Sequence, residues 1–176
     1  MSTTQVHKAT TIAVPLALGA AVAVALGVYG RLHEPTGVAI NLSGFSSFQS
    51  VKTWLATLAA ILGLVQVVSA YLLYHGRPKV APLHRWSGRV AVVVTLPVVA
   101  HCLYALGFQY GEPRVLIHSL LGCFFYGAFV AKMLVLSRTD TPKWLLPVVG
   151  GALFTALIGL WLTSALWFFT TFGVIR

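Results

Sequence analysis

Three histidines occur in strongly apolar surroundings. His84 opens the run LHRWSGRVAVVVTLPVVAHCLYALGF, His101 lies towards its end, and His118 follows in RVLIHSLLGCFFYGAFVAKMLVL. A neutral imidazole is a hydrogen-bonding group and also a strong ligand for transition metals. His101 and His118 are equidistant from the Gln109–Tyr110 peptide, and His75 and His84 are equidistant from Lys79–Val80. On antiparallel helices joined by a tight turn, equidistant residues lie at one depth. Two levelled pairs at opposite ends of a bundle fit two stacked haem b sites, because a b-type iron accepts two axial imidazoles.

The residues around the outer pair suit that chemistry. His118, Gly122 and Tyr126 follow one another at four-residue intervals on one helical face, so a porphyrin edge could rest on Gly122 with Tyr126 closing the pocket. Pro97, four residues before His101, bends its helix and can aim the ring. Lys52 and Arg114 at the outer end, and Arg85, Arg89 and Lys132 at the inner end, can neutralise haem propionates. A ligating imidazole needs a partner for its other nitrogen, and Thr95, Ser119, Gln66 and Ser69 are the buried candidates.

One haem b on His101 and His118 is therefore the expectation. A second on His75 and His84 extends it, although both lie near headgroup depth, where a polar anchor is the ordinary role. Helices in contact pack at ~8–10 Å, too tightly for a porphyrin between them. The third and fourth helices must therefore splay, or a ligand must come from elsewhere. His101, Cys102 and His118 do not make a copper site readily, because consecutive helical residues point about 100° apart. His7 and His33 are expected to be solvated. Cys102 and Cys123 differ in depth by about six residues, or ~9 Å, which argues against a disulfide.

The composition defines what must position these groups. The chain has 58% hydrophobic and 9% charged residues, with a mean hydropathy of +0.87. A soluble domain carries about a quarter charged residues. The reading is an all-α polytopic membrane helix bundle, one integral membrane domain over 1–176, with about five spans near 10–30, 48–74, 84–108, 114–136 and 144–172. Short Pro-containing links make successive helices antiparallel neighbours, and the connection 31–47, with Pro35, Gly37, Asn41 and Gly44, is the longest. The first run exceeds the ~7–15 apolar residues of a signal peptide, so it reads as an uncleaved anchor. Its stripe Gly19, Ala23, Gly27 permits close helix packing.

The net charge of +9 does not point to nucleic acid, because Lys and Arg cluster at the ends of apolar runs. Lys8, Arg77, Lys79, Arg85, Arg89, Lys132, Arg138 and Lys143 share the side of the N-terminus, against Arg31, Lys52, Arg114 and Arg176 opposite. That excess places the N-terminus in the cytoplasm. Trp54, Trp86, Trp144 and Trp167 fall near predicted interfaces, where indole rings anchor spans. The acids, Glu34, Glu112 and Asp140, all lie in connections, so proton pumping and cation-coupled transport lack their usual carboxylates. No Ser or Cys stands in a hydrolase motif, and no catalytic acid, base or nucleophile is assigned.

The two quoted runs, together with YGRLHEPTG, GFSS, WLAT and GLWLTSALWFF, resemble an uncharacterised family of five-helix membrane proteins of actinobacteria over nearly the whole chain. The resemblance implies a bacterial plasma-membrane location and brings no established activity with it. More loosely, the protein is similar to small b-type cytochromes and ferric-reductase-like membrane domains, which implies paired histidines, haem and transmembrane electron transfer. It departs from them in having no histidine on the fifth helix. The function expected is a b-type cytochrome-like electron carrier with bis-histidine haem, passing electrons between a quinol or cytoplasmic donor and an extracytoplasmic redox protein. The alternative is a non-catalytic membrane anchor or assembly subunit of a respiratory complex.

Overall fold

The computed structural model describes residues 3–38 and 47–173, with side chains from Thr10 onwards. The expectations for His7, Lys8, Asn41, Gly44 and Arg176 fall outside that description. Helix α1 spans Thr3–Leu32, α2 Phe48–Tyr74, α3 Ala81–Ala100, α4 Pro113–Leu136, α5 Leu145–Trp161 and α6 Trp167–Phe172. A π-helical turn, His101–Leu106, continues α3, and another, Leu162–Leu166, joins α5 to α6. Five continuous helical runs are long and apolar enough to cross a membrane: Thr10–Leu32, Phe48–Tyr74, Pro78–Leu106, Pro113–Leu136 and Leu145–Phe172. Their outer surface is built of large apolar side chains, among them Val24, Leu64, Val68, Val93, Leu120 and Val148. A belt of this kind needs an apolar solvent.

The ends of these helices follow from local chemistry. The Ser47 hydroxyl accepts the Ser50 N–H (3.2 Å) and caps α2. The third run starts earlier than the sequence reading placed it, because Pro78 and Pro82 occupy first-turn positions that need no N–H donor. Gly107 ends the π turn of α3 with φ 71°, a left-handed conformation that suits glycine.

Packing follows the expected neighbour arrangement for α2 with α3 and for α4 with α5, and departs from it between α3 and α4. Around the bundle the order is α1, α4, α5, α2, α3, and the π turn of α3 closes back onto α1. Helices α3 and α4, consecutive in sequence, face each other across the bundle without packing along their length. Small residues decide this order. The stripe Gly19, Ala23, Gly27 meets Cys123, Gly127 and Ala131 of α4 so closely that a Cβ on Gly19 would lie 2.6 Å from the Gly127 carbonyl oxygen. The close approach expected of that stripe is thus made, and its partner is α4. At the α2–α5 contact Gly63 faces Leu157, and at the α4–α5 contact Gly159 receives Leu121.

The end of the bundle at which α1 begins is called the N side, and the end at which α6 finishes is called the C side. The centre is filled by Ala59, Phe125, Ala156 and Leu157, and a second cluster of Ala131, Val135, Leu145 and Val149 fills the N side. Midway, the Tyr126 hydroxyl donates to Thr95 Oγ1 (2.9 Å), a direct bridge between α3 and α4.

Candidate functional site

On the C side of that bridge the separation of α3 and α4 leaves a cavity of about 290 Å³, walled by all five long helices. Lys52, Arg114, His118 and Gly122 line it together, as do Tyr126 and both cysteines, which are free thiols. Each π turn lends side chains to its wall, Cys102 and Leu103 from the first and Thr163 and Ser164 from the second. Such turns often mark functional sites, because the inserted residue redirects side chains and loosens backbone bonds.

His118 is fixed from across the cavity wall by the second π turn. Its Nδ1 lies 2.9 Å from Thr163 Oγ1, and Thr163 Oγ1 lies 2.7 Å from the Gly159 carbonyl oxygen. A hydroxyl has one proton, and the carbonyl can only accept it. The Thr163 oxygen therefore accepts from His118, so we assign the proton of the neutral ring to Nδ1. Nε2 then carries the lone pair of the ring. This nitrogen can bind a metal or accept a proton from a ligand.

The charged side chains that line the cavity, Lys52 and Arg114, are of one sign. The Arg114 guanidinium donates to the Thr163 carbonyl oxygen (2.7 Å) and stacks over the Trp167 ring at 4.0 Å. Its ion pair with Glu112, at 3.8 Å, is solvent-facing and weak. The Lys52 ammonium, from the first turns of α2, lies within electrostatic range of His101, Cys102 and His118. No carboxylate lines the cavity. An anion with an apolar body suits such a place.

Gly122 points the same way. A Cβ there would meet only Leu160 Cδ2, at an ordinary 3.9 Å. Nothing in the protein's own packing requires glycine at this position, whereas a flat group lying on α4 would.

The other predicted ligands lie elsewhere. His101 is 8% exposed, packs its ring on Phe48 with centroids 5.1 Å apart, and does not line the cavity; Cys102 takes its place in the wall. Its Nε2 is buried without a partner. His75 and His84 are not drawn together. His75 is exposed and turns back onto its own helix, Nδ1 lying 2.8 Å from the Tyr71 carbonyl oxygen. His84 is held instead through Nδ1 by Ser69 Oγ at 2.8 Å, while Gln66 donates to the His84 carbonyl and to Ser87 Oγ.

His33, expected in solvent, is stacked between Tyr29 and Tyr104 at 5.1 Å from each, with Nε2 sealed. The connection carrying it folds back onto the end of α3, where Thr36 and Gly37 donate to the Tyr104 and Ala105 carbonyls.

Among the proposed orienting residues, Ser69 serves His84, Thr95 serves Tyr126, and Ser119 Oγ donates to the Gln109 carbonyl. The partner of His118 is Thr163, which the sequence reading missed. It could have been found, since His118 and Thr163 are equidistant from the Asp140–Thr141 peptide in the α4–α5 link.

The model of a family of unknown function, DUF6529, matches residues 12–176. This chain belongs to DUF6529. Neither curated proteins nor solved structures include a match. The DUF6529 match spans every helix that lines the cavity, so the site lies within the family's shared region.

Proposed function

We propose that this DUF6529 protein is a haem b electron carrier of the bacterial plasma membrane, with its N-terminus in the cytoplasm and the cavity near the outer surface. The observation that carries this reading is the His118 imidazole, fixed by Thr163 so that its Nε2 lone pair serves a cavity with cations and no carboxylate. Haem b supplies an iron for that lone pair and two propionates for the cations, and its one-electron couple is the chemistry it brings.

In this reading His118 holds the iron, Lys52 and Arg114 pair with the propionates, and Gly122 leaves room for the macrocycle. His101 is the second donor, for which a rotamer change away from Phe48 is required. That couple would carry one electron at a time from a quinol or cytoplasmic reductant to an extracytoplasmic iron–sulfur or haem protein, so a quinol would give up its two electrons over two cycles. No bond in this chain is made or broken, and protons from a quinol leave to water.

The test is a dithionite-reduced minus air-oxidised spectrum, with pyridine-haemochrome quantification, of the detergent-purified protein from haem-replete cells. The wild type is expected to show a b-type α-band that His118→Ala loses. A colourless wild type would reject the reading and favour the anchor or assembly role.

A second expectation isolates the orienting bond. Thr163→Val removes the acceptor for the His118 N–H, and haem affinity should fall by roughly 10- to 100-fold, the usual effect of losing a ligand's partner. Thr163→Ser should restore most of it, measured as the rate of haem loss to excess apomyoglobin. Equal rates in both variants would show that the bond does not orient the ligand.

A further inference from the structure

The first two residues of the π turn that continues α3 divide between two surroundings. Cys102, a free thiol, lines the cavity together with His118 of α4. His101, its neighbour in the chain, is 8% exposed, lies on Phe48 and keeps Nε2 buried without a partner. A buried polar atom that bonds to nothing calls for a reason, because it has lost its water and gained no hydrogen bond. Packing on Phe48 supplies none, since an apolar side chain of similar size would fill that place without the loss. The orphaned nitrogen reads as a ligand held in reserve.

The backbone that carries the two residues is loosened. Pro97, inside α3, has no N–H for the Val93 carbonyl. The His101 N–H is shared between the Pro97 and Val98 carbonyls, and from His101 to Leu106 the helix is of π type, with bonds that reach one residue further. Consecutive residues on a helix point about 100° apart. Part of that angle can come from moving the start of the π turn, and the rest from a new rotamer of His101. The movement takes Cys102 out of the wall and puts His101 into it. As the wall stands, it suits an anionic donor: the Lys52 ammonium is within electrostatic range of Cys102, and no carboxylate lines the cavity. A thiolate favours ferric iron over ferrous, because the extra positive charge strengthens its attraction, while a neutral imidazole discriminates less.

We infer that Cys102 Sγ is the axial ligand opposite His118 while the iron is ferric, and that His101 Nε2 replaces it on reduction. This rests on the haem reading of the cavity and adds one step in which a bond of the chain changes, the S–H of Cys102. The quinol or cytoplasmic donor supplies one electron, and ferric iron becomes ferrous. Cys102 then releases the metal and takes one proton from water, and the His101 lone pair forms the new bond. Loss of the electron to the extracytoplasmic acceptor reverses both changes and returns the proton to water. Each transfer waits on a side-chain movement, so the site is a gated carrier.

Electron paramagnetic resonance of the oxidised full chain and optical spectra of the reduced one read the two ligands separately. The oxidised wild type is expected to give the narrow low-spin spectrum of one imidazole and one thiolate, and Cys102→Ser the wider spectrum of two imidazoles. Reduced, both should show the same six-coordinate α-band. His101→Ala should keep the oxidised spectrum of the wild type, lose the six-coordinate α-band on reduction and bind carbon monoxide at the open position. A two-imidazole spectrum in the oxidised wild type would overturn this inference and leave the haem reading standing. So would a six-coordinate reduced His101→Ala. Where a variant fails to hold haem, the oxidised wild-type spectrum decides by itself. A colourless wild type would remove both proposals.

Discussion

Gly122→Leu is expected to give a folded, colourless protein. A Cβ at this position meets one atom, Leu160 Cδ2 at 3.9 Å, and the rest of a leucine side chain grows into the cavity beside His118. Adding apolar volume to an empty apolar space strains nothing, so the cost to stability should stay below about 1 kcal/mol. Haem content, in contrast, should fall at least about tenfold, since the substituent occupies the face on which the macrocycle rests. The haem-to-protein ratio and the thermal midpoint of the apoprotein in detergent are the two readouts. Full pigment in this variant would place the haem elsewhere, and loss of the fold would show that the glycine serves packing after all.

Gly127→Leu should do the opposite and unfold the bundle. A Cβ on Gly127 would lie 2.5 Å from the Gly19 carbonyl oxygen and 2.8 Å from Ala23 Cβ. Neither atom can move aside, because one is helix backbone and the other is fixed to it. The only relief is to separate α1 from α4. In a bilayer, helices gain little from hiding apolar surface and depend on close van der Waals contact, so separation removes most of what holds α1. We expect a loss of ~3 kcal/mol or more, at or above the usual range for overpacking, seen as a lowered midpoint in an SDS-unfolding titration. Gly127→Ala should move it in the same direction by less. Wild-type stability in the leucine variant would mean that α1 docks elsewhere.

Both variants change a glycine on α4, five residues apart, and the sequence does not distinguish them. The stripe Gly19, Ala23, Gly27 announces a close contact on α1, but it does not name the opposing helix. Short links argue for α3 against α4, and that argument fails because linkers restrict distance, while contact is decided by which faces carry small residues. Gly127 and Ala131 present such a face to α1, and Leu121 enters the notch at Gly159 to hold α5. Helix α4 is committed on those two sides, which leaves its His118 face opposite α3 with room between them.

The amino-acid sequence by itself determined the number of long apolar helices, because this depends on composition along the chain. It also grouped Lys52, Arg114, His118 and Gly122 with His101, and the structure brings all of these except His101 into one cavity. Azimuth was decided only by the tertiary structure. Depth is read from position in the chain, but the direction a side chain faces depends on helix rotation, on π turns and on the neighbour chosen. For this reason His101, expected level with His118, faces Phe48, and His75, expected level with His84, turns onto Tyr71. For the same reason the residue that orients His118 comes from α5, through the redirected backbone of its π turn.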